Sequence, residues 1–270
     1  MVFLFLLLRD RLVPVDWGET FALIGDISPL QWAAGLMATG LSFWALGQYD
    51  AVVHRLLRSG VGRAEAWRSG MAAIAISQAV GFGLITGSLV RWRLLPALNL
   101  AATTKITLTV TLSFLLALTA VTSATILAFG PIGGPLAPLL WFAALAGAVL
   151  TAGFALLSIF QPQLTILARS FGFPPIRSVL RILILTAMDT MAAAAALYAF
   201  LPAGAQPELA AFLPAFLLAL GAGMILGTPG GMGPFEVVLL SLLPTLPVEA
   251  LAAAILAYRL VYFAAPAVAA

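Results

Sequence analysis

The chain has 270 residues, 63% of them hydrophobic and 9% charged, with a net charge of +3. A mean hydropathy of +1.11 excludes a soluble globular domain, which carries about 45–50% apolar and about 25% charged residues. The bilayer must be the solvent for most of this surface. The basic balance does not point to nucleic acid, because the arginines sit between apolar runs and not along one stripe. With no cysteines, disulfides, Cys-ligated zinc and thiol catalysis are excluded.

In chain order, the opening MVFLFLLLRDR is too short for a signal-peptide core and lacks a basic leader. It reads as the tail of a helix whose start is missing. Apolar runs follow at Ile27–Gln48, Ser69–Val90, Ile106–Phe129, Leu136–Phe160, Val179–Leu201, Leu209–Gly227, Phe235–Leu243 and Val248–Ala269. All but the seventh approach the roughly 20 residues needed to cross a bilayer. Tyr49–Arg68 and Gln161–Arg181 read as polar connections at the membrane interface, with short amphipathic pieces around turn residues. The expected fold is all-α, a polytopic membrane helix bundle of about 6–8 membrane segments, forming a single integral membrane domain over 1–270.

The second run raises a topological conflict. Arg55, Arg58, Arg63 and Arg68 precede it, and Arg91, Arg93 and Lys105 follow it; Arg169, Arg177 and Arg181 lie two connections later. If every run crossed, the first two groups would fall on opposite sides, against the positive-inside tendency. If the second run dips in and returns, all ten charges share one face. Gly81, Gly83 and Gly87 would then supply the bend. The alternative is an ordinary crossing helix whose glycines allow close packing. A second interruption follows the sixth run, in GTPGGMGPFE (Gly227–Glu236). Thr228, Pro229, Gly230, Gly231, Gly233 and Pro234 prevent any continuous helix there. The bend and this break place broken or re-entrant helices near 69–93 and 209–244, a pattern that transporters use to build sites at the membrane midplane. A surface loop between two short helices is the plainer reading of the second.

Three ionisable residues interrupt the apolar runs: Asp189, Glu236 and Arg259, the last flanked by Tyr258 and Tyr262. Each charge at the bilayer centre costs about 2.5–3.5 kcal/mol, so such residues are rarely idle. Two readings coexist. Arg259 forms a structural ion pair with Asp189 or Glu236, or it meets a lipid phosphate while the acids balance or relay charge. A guanidinium suits phosphate because its planar donors bind two oxygens at once, and the helix restarting near Phe235 would aim its positive end at the same place. The candidate headgroup ligands are therefore Arg259, Glu236, Asp189, Tyr258, Tyr262, Arg91 and Arg93. His54, in the basic connection, reads as solvated. No phosphate-binding loop, nucleophile elbow or His-rich metal motif is present, so no cofactor, metal or catalytic residue is expected.

Taken together, GQYDAVVHRL (Gly47–Leu56), GFGLITGSLVRWRL (Gly81–Leu94), AMDTMAAAAALY (Ala187–Tyr198), GTPGGMGPFE and YRLVYFAAP (Tyr258–Pro266) resemble the transmembrane region of lysylphosphatidylglycerol synthases, the multiple peptide resistance factor type, and related stand-alone bacterial membrane proteins. The resemblance covers about Leu41 to Pro266. It implies an inner-membrane lipid-handling domain that flips phosphatidylglycerol or its aminoacyl ester between leaflets and thereby lowers surface negative charge against cationic peptides. The family pattern has a further helix before Gly47 and a cytosolic transferase domain, neither of which is expected in this sequence. Without residues suited to tRNA, no nucleic-acid partner is expected. Two alternatives stand beside translocation: the membrane half of a phosphatidylglycerol lysyltransferase working with a separate cytosolic transferase, and a scaffold for a lipid- or glycosyl-transferring enzyme. A homo-oligomer is compatible with any of these.

Overall fold

The computed structural model describes residues 16–130, 137–160, 163–166 and 169–270, with the backbone alone described at 163–166 and 169–171. The opening hydrophobic segment therefore lies outside the described residues, as does most of the 130–135 connection. Helix α1 (Trp17–Gly25) is an element that apolar periodicity did not announce. Its N-terminus is set by Asp16, whose carboxylate accepts from the Gly18 N–H at 2.8 Å and the Glu19 N–H at 3.2 Å. Asp16 satisfies donors that a helix N-terminus otherwise leaves orphaned.

Helix α2 (Pro29–Leu56) starts with a full capping box: Ser28 Oγ accepts from the Gln31 N–H, and Gln31 Oε1 accepts from the Ser28 N–H. It then runs eight residues past the apolar stretch that ends at Gln48. The expected connection from Tyr49 is thus helical through Leu56, leaving only Leu57–Gly62 as loop. The physical reason is burial. Tyr49, Asp50, Val53 and His54 are all interior, and the Tyr49 hydroxyl lies 2.7 Å from Ser113 Oγ. His54 is 2% exposed, with Nδ1 2.8 Å from Ser59 Oγ, so it is a packed residue and not a solvated one.

Helices α3 (Arg63–Val80) and α4 (Gly83–Leu94) fold back on each other across Gly81–Phe82. The return is direct: a Cβ on Gly87 would lie 3.9 Å from Ser77 Cβ, whereas ten residues along one continuous helix span about 15 Å. Helices α5 (Leu100–Phe129), α6 (Ala137–Phe160), α7 (Ile176–Ala199) and α8 (Leu209–Leu226) are long and apolar enough to cross a membrane. A 3-10 turn (Pro229–Gly231) and helix α9 (Pro234–Leu242) fold back along α8. The final span, Val248–Ala269, comprises α10 (Val248–Arg259), a π-type turn (Leu260–Ala264) and α11 (Ala265–Ala269). Between α6 and α7, β1 (Gln163–Ile166) and β2 (Arg169–Gly172) form an antiparallel hairpin, pairing Gln163 with Gly172. The interfacial connection is therefore in part a β-ribbon, within an otherwise helical multi-pass membrane bundle.

Helices α2 and α7 form the most extensive interface, and they run antiparallel. Gln31, at the start of α2, donates from Nε2 to the Ala199 carbonyl at 2.9 Å, at the end of α7. Gly35 packs under the Phe200 ring, where any Cβ would come within 2.3 Å of Cζ. At the opposite end of the same pair lie Arg55, Arg63 and Arg181, which line one groove. The connection after α2 and the start of α7 thus bring their arginines to one end of the bundle, and Arg91 pairs with Asp50 in the last turns of α2, as a folded-back second run requires.

Candidate functional site

Two interruptions of helical backbone meet inside this bundle. At the first, Gly81 adopts φ 87° and Phe82 is left-handed at φ 51°. The Gly81 N–H ends α3 on the Ser77 carbonyl at 2.9 Å, and Thr86 Oγ1 donates to the Gly81 carbonyl at 2.8 Å. Glycine is required at 81 for conformation and for space, because a Cβ would sit 3.0 Å from the Pro229 nitrogen. The other two expected bend glycines do something else. Gly83 is helical in the first turn of α4 with nothing within 4 Å of its Cβ position. Gly87 makes room for Thr107 and the Arg91 guanidinium, which a Cβ would approach to 3.2 and 3.3 Å.

At the second interruption, Gly227 ends α8 in the left-handed conformation, a common helix stop. Gly230, Gly231 and Gly233 also take positive φ, at 58°, 68° and 91°. Pro234 opens α9 at its first helical position, where its missing N–H costs nothing. The chain folds so tightly here that a Cβ on Gly223 would lie 3.1 Å from Gly231 Cα. The two tips touch: the Phe82 N–H lies 3.4 Å from the Gly227 carbonyl, and Gly81 abuts Pro229. At this point the two expected breaks are in backbone contact with each other.

Arg259 comes to this junction from the last span. Its guanidinium forms an ion pair with Glu236 through Nη2 and Oε1, while Glu236 Oε2 accepts from the Gly233 N–H at 2.7 Å. The Glu236 carboxylate therefore bridges an arginine and a helix N-terminus, which is the position expected for a phosphate. Gly230 permits the approach, since a Cβ there would meet Arg259 Nη1 at 2.7 Å. The Phe263 ring supports the guanidinium from 5.7 Å. Just beyond Arg259 the helix widens into the π-type turn, with the Ala265 N–H donating to the Leu260 carbonyl five residues back. Pro266 explains the widening: it has no N–H to give, and its ring would clash with the Tyr262 carbonyl in a regular helix. Tyr258 and Tyr262 then stack at 4.9 Å, and Tyr258 stacks on Phe235 at 6.3 Å.

The expected charges do not form one site. Asp189 pairs with neither cation; it accepts from Ser42 Oγ and, at 3.4 Å, from the Tyr262 hydroxyl, which is itself 2.7 Å from Ser42 Oγ. This cluster joins α2, α7 and the last span, with Asp189 3% exposed. Arg91 is not available to a headgroup. It is 1% exposed, held by Asp50 at 2.5 Å and by Thr107 at 3.2 Å; His54 Nε2 lies 3.5 Å from the same carboxylate. Arg93 is exposed at the end of α4. Sequence reading missed Asp50 and Ser42 as members of polar clusters. Asp50 lay in a stretch taken for interfacial connection, and a lone serine in an apolar run carries no signal of its own.

A bundle of membrane-length helices, with two folded-back hairpins meeting beside the Arg259–Glu236 ion pair, defines a multi-pass membrane protein with broken helices. No family model matches the chain. It is similar to an uncharacterized protein of Synechocystis sp., 29% identical over 272 residues, spanning 96% of this chain and 83% of that one.

Proposed function

We propose that the protein carries a phospholipid between leaflets of a bacterial cytoplasmic membrane, with the lipid phosphate passing Arg259 where the two broken hairpins meet. The observation that carries this reading is the Arg259–Glu236 pair. Both side chains are 18% exposed, so the pair is reachable, whereas a purely structural lock is normally sealed. Among the described residues, Arg259 uses only Nη2 in side-chain hydrogen bonds, leaving Nε and Nη1 as donors for an anion. Glu236 acts as an internal competitor. It neutralises Arg259 and caps α9 while the site is empty, and a phosphate takes over both roles while it is bound. Such exchange keeps binding weak enough for release, as transport demands. Broken helices with their ends at a charged site are the device by which many transporters build a substrate position within the bilayer. Phosphatidylglycerol or its aminoacyl ester is the substrate that the family resemblance favours.

The test is leaflet exchange. The purified chain in liposomes, supplied with fluorescent phosphatidylglycerol and an impermeant quencher, should expose the inner-leaflet probe faster than protein-free liposomes. Arg259→Ala should abolish the gain and Arg259→Lys should retain part of it, since lysine keeps the charge and loses the planar fork. A folded Arg259→Ala protein with wild-type exchange would overturn the assignment.

A further inference from the structure

We propose that a groove at the basic end of the bundle, between α2, the start of α3 and α7, binds the headgroup of an anionic glycerophospholipid. This goes beyond translocation and stands whether or not any lipid crosses. The groove holds about 370 Å³ and is lined by Trp44, Gln48, Arg55, Arg63, Arg181 and Ile184, among others. It continues into a second recess of about 240 Å³ that shares Arg55 and Arg63 and adds Arg58. No acid lines either space. Among the described residues, none of these arginines enters a salt bridge. Arg63 is positioned all the same: its Nη2 donates to Gln48 Oε1 at 2.7 Å.

Charge complementarity selects an anion, and the depth profile selects a lipid. On α2 the groove-lining residues pass from Trp44 through Gln48 to Arg55, eleven residues or roughly 16 Å along the helix. On antiparallel α7 they pass from Ile184 back to Arg181. Both walls are therefore cationic at the same end and apolar further in. Trp44 and Ile184 are 44% and 63% exposed, a cost in water and none beside acyl chains. One groove lined by three guanidiniums, beside an apolar wall that receives the glycerol backbone and first methylenes, has the chemistry to hold an anionic phospholipid in the leaflet facing the basic connections. A soluble phosphate would use the arginines and leave the apolar wall empty.

Trp44 supplies the reporter. The full chain is reconstituted in phosphatidylcholine bilayers containing dibrominated phosphatidylglycerol or dibrominated phosphatidylcholine, and the Trp44 contribution is taken as the difference from Trp44→Phe. The anionic quencher should act at a mole fraction about fivefold lower than the zwitterionic one, the scale of one surface arginine's attraction. Arg55→Gln/Arg63→Gln/Arg181→Gln should erase this preference; Arg181→Gln alone, the gentler change, should weaken it. Arg68→Gln, at a basic residue outside the groove, should preserve it, as should Arg259→Ala, so the groove and the translocation site are judged separately. Equal quenching by the two lipids, equal loss in Arg68→Gln, or reversal by inorganic phosphate would each overturn the proposal.

Discussion

Two arginines of this bundle, Arg91 and Arg259, make the same kind of bond in different surroundings. Arg91 is sealed against Asp50, with side-chain exposures of 2% and 0%. Arg259 pairs with Glu236 where both remain 18% exposed. Arg91 has Thr107 and the Gly87 carbonyl as further acceptors, so all three of its guanidinium nitrogens donate to protein. Arg259 rests on glycine backbone and an aromatic ring, and among the described residues it uses only Nη2 in side-chain hydrogen bonds. An ion pair that is fully enclosed pins helices; one that stays partly exposed beside the broken helices is, on the proposed reading, the one available for exchange. The sequence presents both as an arginine in an apolar neighbourhood, and packing alone separates them.

The largest effect expected from breaking this comparison is on the sealed pair. Asp50→Ala should destabilise the fold by about 3–5 kcal/mol, because it strands the Arg91 charge in the interior. Thermal unfolding in detergent reads this directly. The double change Asp50→Leu/Arg91→Met, which removes both charges, should recover most of the loss. Gly81→Ala comes next, at about 1–3 kcal/mol, since it forces a non-glycine residue into positive φ against Pro229. Its loss of lipid exchange should exceed what the melting shift alone predicts, because it displaces the junction itself.

For the open pair, Glu236→Gln should cost less stability than Asp50→Ala, about 1–2 kcal/mol for a partly exposed pair that keeps a hydrogen bond. It should slow leaflet exchange by retaining anions on Arg259, visible as tighter binding of fluorescent phosphatidylglycerol. Equal stability losses at Asp50 and Glu236 would remove the contrast. The smallest effect is expected at Gly83→Ala: neutral, or stabilising by up to about 1 kcal/mol, as for alanine over glycine in an open helical position. A substantial loss there would return Gly83 to the bend. Cysteine labelling sharpens the topology without perturbing either pair. In the cysteine-free background, Val61→Cys and Ala97→Cys should react from one side of the membrane and Ala203→Cys from the other.

Composition and punctuation determined the class of this protein. Sixty-three percent apolar residues demand a bilayer, and the cluster of prolines and glycines from Pro229 to Pro234 does not fit continuous helix, so the second break was legible from backbone chemistry; Gly81 by itself left a crossing helix open. The distribution of arginines similarly foretold that the second run folds back, because charge on a connection is a local property that the membrane reads directly. What tertiary structure alone decided was partnership. Asp50 lies 41 positions from Arg91 and Ser42 lies 147 from Asp189, and no period or spacing announces contacts of that range. Likewise Arg55, Arg63 and Arg181 looked like three independent topology signals until α2 and α7 packed antiparallel and turned them toward one groove. In a bilayer, polar side chains must find each other because lipid offers nothing else to bond with; which ones meet depends on how helices rotate against their neighbours, and that rotation is fixed by three-dimensional fit at positions such as Gly35 and Gly87.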